Sequence, residues 1–262
     1  MSKRILFIVE GRKTEPTFLK RLLSGLGVTD EHQIFVFGTN IHVLFEKVFG
    51  TDDSEDINLL GALREGESEK EREILSGDYS DVYLVFDAEF QDPRFDYEHL
   101  KTMLEYFDNS TENGKLYLNY PMMESYLHLK KLNDPEYLTR TVYSSDIKSY
   151  KRTARAECCK ELSNAGCYTR DLILVIVHHN YLKARLLLGA GIEHSEDICP
   201  VSDSGYLIFI KQWETLREEG RIYVLNTSVF LALEHDPRIM LDIQNSTFLT
   251  TDPTDKMGQT EG

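Results

Sequence analysis

Basic residues are scarce in this chain. Against 44 aspartates and glutamates stand only 29 lysines and arginines in 262 residues, giving a formal net charge of −15. Because proteins hold nucleic acid mainly through contacts of Lys and Arg with phosphate, a chain this acidic repels nucleic acid at long range. Any nucleic-acid function therefore requires a local basic patch, a bound cation or a basic partner.

Long apolar runs and paired cysteines are also missing. No apolar run approaches the roughly 20 residues needed to span a bilayer, and the N-terminus has no signal-peptide pattern. We therefore expect a cytoplasmic protein that does not bind membranes. The four cysteines, Cys158, Cys159, Cys167 and Cys199, form no C-x-x-C pair, which favours reduced thiols over disulfides or zinc ligation.

Three common catalytic motifs are absent as well. The chain has no P-loop (G-x-x-x-x-G-K-[ST]) and no G-x-G-x-x-G fingerprint, which makes a nucleotide-handling phosphotransferase the least favoured enzyme class. No G-x-S-x-G elbow surrounds Ser202 or Ser204, which excludes a serine hydrolase of that type.

Strand and helix patterns alternate through the first half of the chain. This alternation predicts an α/β domain over residues 1–132, with a mostly parallel sheet flanked by helices. A mainly helical region is predicted over 133–249, packing on that domain, followed by a polar tail over 250–262 that we expect to be disordered. The predicted strands are 4–9, 33–38, 81–86 and 114–120. The predicted helices begin near Glu15 and cover 40–49, 61–76, 95–107, 123–132, 150–164, 203–219 and 228–234. The segment 171–188 fits either a strand followed by a helix or one buried helix, and "RIYVLNTSVF" (221–230) predicts a late strand.

Acidic residues follow three of the predicted strands. Glu10 ends the first, Asp87 ends the third with Glu89 and Asp92 close behind, and Glu124 follows the fourth. In an open parallel sheet these strand ends share one edge, where ligands bind. Clustered carboxylates repel one another unless a cation neutralises them, and such oxygen ligands suit Mg²⁺ or Mn²⁺. The pattern predicts a metal site able to hydrolyse a phosphodiester, although solvated or helix-capping acids are also common at strand ends.

Lysines and arginines group at two places. Lys148, Lys151, Arg152 and Arg155 occupy one face of a predicted helix and are the best candidates for phosphate contacts, with a solvated helix face as the alternative. Lys13 lies in the turn after Glu10, where its ammonium group and the backbone amides are able to face an anion.

The acidic segments carry a family resemblance. "FIVEGRKTEPTFLKRL" resembles the first motif of TOPRIM domains, closest to the RloB-like and OLD-nuclease branch of bacterial anti-phage defence proteins. "VYLVFDAEFQD" resembles the second motif, normally Asp-x-Asp after a hydrophobic strand. "KLYLNYPMMESYLHL" resembles the Asn-Pro-x-x-Glu segment of RloB-like proteins. The three segments span residues 5–130.

The resemblance implies a role for each acid. Glu10 would be a metal-linked acid or general base, Asp87 a metal ligand, and Glu124 the acid of the third segment. Glu89 stands where the family has its second aspartate, and either Glu89 or Asp92 would complete the ligands. Related metal nucleases also place a lysine near the scissile phosphate, which makes Lys183 a candidate catalytic residue able to stabilise a leaving oxyanion.

Two functions are compatible with these features. The first is a Mg²⁺- or Mn²⁺-dependent endonuclease acting on DNA or RNA, including tRNA, as the effector of a defence system with an ATPase partner. The second is a non-catalytic TOPRIM-like module that docks on an ATPase sensor, which the Asp-to-Glu departure at Glu89 favours. A homodimer is compatible with both.

Overall fold

The protein is described by a computed structural model over residues 3–50, 57–189, 204–239 and 241. Its strands are β1 (Arg4–Val9), β2 (Glu31–Val36), β3 (Asp81–Asp87), β4 (Asp108–Asn109), β5 (Gly114–Asn119), β6 (Thr141–Tyr143) and β7 (Arg221–Tyr223). Its α-helices are α1 (Thr14–Gly25), α2 (Ile41–Phe49), α3 (Leu59–Arg64), α4 (Glu69–Leu75), α5 (Tyr97–Tyr106), α6 (Ile147–Glu157), α7 (Arg170–Leu187), α8 (Gly205–Glu219) and α9 (Leu231–His235). Short 3-10 helices lie between them, at Met123–Leu127, Pro135–Thr139, Ser144–Asp146, Lys160–Leu162, Ala165–Cys167 and Ser228–Phe230.

The described residues form an α/β structure on a five-stranded sheet with the strand order β2-β1-β3-β5-β4. The first four strands in that order pair in parallel, and the short β4 pairs antiparallel with β5. The prediction of a mostly parallel sheet flanked by helices is confirmed. Since β1 and β3 are neighbours, with Val9 opposite Val85, the residues that follow these two strands leave the sheet side by side.

Both faces of the central strands are covered, as expected for parallel strands that read as continuous apolar runs. Residues 5–9 of β1 and 83–86 of β3 are all buried. Val175, Phe209 and Phe230, from the predicted C-terminal region, belong to the same hydrophobic core as these strands. The boundary at residue 132 remains a prediction, and the predicted tail over 250–262 lies outside the described residues.

Several predicted helices have a different form, and two of them show the physical reason. The acidic segment 61–76 is divided between α3 and α4, because Gly66 takes a left-handed φ of 85° and Ser68 then starts α4 with a capping box to Glu71. The helix predicted over 123–132 is only a 3-10 turn. At this turn the carbonyl of Met123, which would accept an internal hydrogen bond in a longer helix, accepts one from Nδ2 of Asn226 at 2.9 Å.

The structure settles the ambiguous segments of the C-terminal half. Residues 171–188 lie almost entirely in the single helix α7. The late strand is limited to β7, which pairs antiparallel with β6, a strand that the sequence did not predict. Among the described residues, no helix combines the length and the apolarity needed to cross a membrane.

Candidate metal centre

Three carboxylates meet at the C-terminal ends of β1 and β3. Glu10 directly follows β1, Asp87 is the last residue of β3, and Glu89 lies two residues beyond it. One oxygen of each lies within 4.8 Å of an oxygen of each of the others, and all three residues are half-buried. The structure therefore brings together three of the four acids that the sequence predicted as metal ligands. We call these three residues the acidic triad.

Backbone amides hold two members of the triad in place. Oε2 of Glu10 accepts a hydrogen bond from the amide of Asp87 at 3.2 Å, and Oδ1 of Asp87 accepts one from the amide of Met123 at 2.7 Å. Asp87 is the last residue of β3, and Met123 begins the 3-10 helix that follows β5. The carboxylates are therefore positioned by the backbone of the sheet edge.

Glu89 is presented by a tight loop with an unusual backbone. Its φ of 48° lies in the left-handed region, which costs free energy for any residue with a Cβ and is often found at functional sites. The amide of Asp92 donates to the carbonyl of Glu89 at 2.9 Å, and Nε2 of His42 lies 3.3 Å from the same oxygen. Gln91 donates to the Glu89 carboxylate. These contacts hold the loop in the conformation that points Glu89 toward Glu10 and Asp87.

Burial and mutual repulsion shift the acidity of the triad. Burial, followed by the charge of Glu89, raises the pKa of Glu10 to about 8. Burial and the charge of Glu10 raise the pKa of Asp87 well above its usual value, and burial together with the charge of Asp92 raises the pKa of Glu89. A divalent cation would offset this repulsion, and hard carboxylate oxygens are the ligands that Mg²⁺ and Mn²⁺ prefer. The donor set thus fits either ion.

A fourth acid, Glu15, adjoins the triad and was not recognised as a site residue from sequence. Its side chain is buried, burial raises its pKa, and its charge raises the pKa of both Glu10 and Asp87. A Cβ on Gly11 would lie 2.6 Å from Oε2 of Glu15, so the glycine after Glu10 leaves room for this carboxylate. One signal was present in the sequence: a helix that follows a parallel strand begins at the same sheet edge.

Asp92 has a structural role beside the triad. Its two oxygens accept hydrogen bonds from the guanidinium of Arg94, each at 3.0 Å, and Oδ2 also accepts from Nδ2 of Asn40 at 2.7 Å. The bonds from Arg94 hold the pKa of Asp92 far below its usual range. The structure does not place Asp92 in the acidic triad, and both oxygens of its carboxylate are bound by Arg94 or Asn40.

Glu124 links the triad to basic residues of α6. Its side chain is 3% exposed, and its Oε1 lies 2.5 Å from Nζ of Lys151 and 3.1 Å from a guanidinium nitrogen of Arg155. The hydroxyl of Thr14 donates to the same oxygen at 3.3 Å. Glu124 adjoins Met123, whose amide binds Asp87, and its charge contributes to the raised pKa of Asp87. Glu124 therefore lies next to the triad and is paired with cations.

The structure does not bring Lys183 to the triad. The lysine is fully buried in α7, where its ammonium donates to the carbonyl of Arg140 at 2.7 Å and lies 4.4 Å from the ring centre of Tyr137. Burial and the charge of Arg140 lower its pKa well below the usual value. The neighbouring His179 is also buried, and its Nε2 accepts a hydrogen bond from the amide of Asp134 at 3.1 Å. This part of α7 is a buried polar network on Pro135–Thr139.

The predicted phosphate-binding residues are exposed. Lys148, Lys151, Arg152 and Arg155 share the outer face of α6, opposite the buried Ile147, Tyr150 and Ala154. Lys13 precedes α1 and is exposed beside Thr14.

Comparisons with known proteins add no assignment. No family model matches the chain, and no curated protein or solved structure is significantly similar to it.

Proposed function

We propose that the protein is a Mg²⁺- or Mn²⁺-dependent nuclease of the TOPRIM type, which hydrolyses phosphodiester bonds of DNA or RNA. The observation that supports this most strongly is the acidic triad at the ends of two adjacent parallel strands, with a basic helix tied to it through Glu124. A cation held by Glu10, Asp87 and Glu89 would activate water and neutralise phosphate charge. The resemblance further suggests a defence effector that works with an ATPase partner.

Individual side chains of the site and of α6 are assigned to the other steps of cleavage. Because Oε2 of Glu10 already accepts the amide of Asp87, we assign Oε1 of Glu10 to take a proton from the attacking water. Lys151 and Arg155 reach the triad edge at Glu124, where their charges are able to stabilise the substrate phosphate. Asp92 and His42 position the loop that carries Glu89.

Cleavage by the purified protein tests the proposal. We expect tRNA, other single-stranded RNA or plasmid DNA to be cut when Mg²⁺ or Mn²⁺ is added, and Glu10→Gln and Asp87→Asn each to abolish the cut. Glu105→Gln is the matched control, since it changes an exposed acid on α5 that lies outside the site. Metal-dependent cleavage that persists in both triad variants would disprove the proposal.

A second function is favoured by Glu89. Its side chain is one methylene longer than the aspartate of the resembling motif, and its backbone is left-handed. A site altered in this way fits a non-catalytic module that docks on an ATPase. Calorimetry separates the two, because a docking module should show no Mn²⁺ binding that depends on Asp87.

A further inference from the structure

Two hollows flank Arg155 on the surface next to the acidic triad. A cleft of about 370 Å³ is lined by residues that include Lys13, Thr14, Thr17 and Arg155. A second hollow of about 580 Å³ is lined by the α6 residues Lys148, Ser149, Lys151, Arg152 and Arg155. Arg155 lines both hollows, so they adjoin each other, and we call the two together the basic groove. All five cations predicted to bind phosphate lie along it.

Three cations of the basic groove have no acidic partner. No described carboxylate forms an ion pair with Lys13, Lys148 or Arg152, although all three are exposed on a protein of net charge −15. Acidic residues outnumber basic ones over the chain as a whole, so unpaired cations gathered in one place mark a surface suited to an anion from outside. The hydroxyl of Thr17 adds a hydrogen-bond donor to its walls.

The other two cations are fixed at the end nearest the triad. Lys151 and Arg155 both contact Oε1 of Glu124, a carboxylate that is itself buried. Glu124 directly follows Met123, whose amide binds Asp87. An anion that follows the groove past Arg155 is therefore led to the edge of the acidic triad.

The dimensions of the groove suit one strand rather than two. From Lys148 to Arg155 the helix rises seven residues, about 10 Å, which matches only a few successive phosphates. A duplex presents two strands across a much wider surface than this one row of cations covers. Tyr143, which is 58% exposed, ends β6 just before the short 3-10 helix Ser144–Asp146 that leads into α6. An exposed aromatic ring that lies close in the chain to Lys148 is able to stack an unpaired base of a strand bound along α6.

We propose that the basic groove binds a single-stranded nucleic acid, with consecutive phosphates along Lys148, Arg152, Arg155 and Lys13 and with one base stacked on Tyr143. This inference names the substrate class of the proposed nuclease, and the biological role of the binding rests on that proposed function. The binding itself occurs without the cation.

Binding is measured with the full chain in EDTA, which separates it from cleavage. The probes are fluorescent oligothymidylate and oligouridylate of about 12 nucleotides, within the range that a single-strand site covers, and a duplex of the same length. We expect the single strands to bind more tightly than the duplex. In Lys148→Ala/Arg152→Ala the slope of log K against log salt should fall by about 0.7 for each cation removed.

Two further variants sharpen the test. The matched control Lys70→Ala/Arg72→Ala removes one lysine and one arginine from the exposed face of α4 and should change neither affinity nor slope. Tyr143→Ala should weaken single-strand binding by at least about fivefold. Neither the α6 pair nor Tyr143 contacts Glu124, so all these variants should fold.

Several results would overturn the inference. They are tighter binding of the duplex, an unchanged salt slope in Lys148→Ala/Arg152→Ala, and equal binding of inorganic polyphosphate with no effect of Tyr143→Ala, which would indicate a general polyanion surface. A protein that binds the strand through these residues but never cleaves it would disprove the proposed nuclease and leave the inference standing. If the protein cleaves the strand but these variants bind it with unaltered affinity, the inference is disproved and the proposed nuclease stands.

Discussion

The amide of Asp87 donates a hydrogen bond to Oε2 of Glu10 at 3.2 Å, so that the last residue of β3 orients the carboxylate that follows β1. The two carboxylates nevertheless repel each other, because the charge of Glu10 contributes to the raised pKa of Asp87. A site that is held together by the backbone and pushed apart by charge is in a suitable state to receive a cation.

Removing one charge of the triad should raise the stability of the metal-free protein and weaken its metal binding. Asp87→Asn keeps an oxygen that can accept the amide of Met123, yet it relieves the repulsion with Glu10. We expect higher thermal stability without metal at neutral pH and a loss of Mn²⁺ affinity of at least about tenfold, since even residues that only orient ligands contribute that much. Differential scanning calorimetry and titration calorimetry measure the two effects, and a variant that binds Mn²⁺ like the wild type would contradict the assignment of Asp87.

In the metal-free protein, the contribution of Glu10 to stability should change with pH in the opposite direction to that of most acidic side chains. The pKa of Glu10 is raised from 4.5 to about 8, so the folded state binds a proton that the unfolded state has released. The stability that this proton contributes is present below 4.5 and is lost as the pH rises toward 8. Metal binding displaces the proton, and its affinity should therefore rise over the same range.

Thermal denaturation across that range, with and without Mn²⁺, tests both statements. The Glu10→Gln variant is the control, and its stability should vary less with pH. If the wild type and Glu10→Gln depend on pH in the same way between pH 4.5 and 8, the raised pKa of Glu10 is wrong.

Glycine in place of Glu89 should stabilise the fold and remove a ligand. The left-handed backbone of Glu89 costs about 1–3 kcal/mol for a residue with a Cβ, and glycine adopts it freely. We expect Glu89→Gly to raise the free energy of unfolding by about 1 kcal/mol and to weaken Mn²⁺ binding. Glu89→Ala is the matched control, since it removes the carboxylate but keeps the strain. Equal stability of the two variants would show that the backbone at this position is not strained.

Removing Glu124 and removing its two basic partners should lower the stability of the protein by different amounts. Replacing both Lys151 and Arg155 by methionine leaves a buried carboxylate without a cation, which costs about 3–5 kcal/mol. Glu124→Gln should cost less, because the two bases are about half exposed and are able to turn to solvent. Chemical denaturation measures both, and adding Glu124→Gln to the double variant should restore stability. A larger loss in Glu124→Gln alone would contradict this account.

Lys183 should be dispensable for cleavage. Its ammonium is buried against Arg140 and Tyr137, and Lys183→Met keeps the volume while losing one hydrogen bond, worth about 1 kcal/mol. We expect a small change in stability and an unchanged cleavage rate. A folded Lys183→Met protein without cleavage would return the lysine to the catalytic candidates.

The sheet and three members of the site could be predicted from sequence for a simple reason. Apolar runs that end in an acid identify both a buried strand and the side chain at its end, as with Ile5–Val9 and Glu10. The roles of Asp92 and Lys183 could not be predicted, because they depend on partners distant in sequence such as Asn40 and Arg140. Glu15 was missed because its position at the start of α1 indicates the sheet edge but does not show whether its side chain faces the site or solvent.

The position of β1 and β3 in the middle of the sheet sets how far the site can vary. Each is hydrogen-bonded to a strand on both sides, and neighbouring strands are about 4.8 Å apart. The sheet therefore fixes the distance between the backbones of Glu10 and Asp87. Local opening of peripheral loops moves Glu89 or the groove cations without altering that spacing. Changes of metal preference or substrate should therefore arise by substitution in the loops, while the distance between the first two acids persists for as long as the sheet is folded.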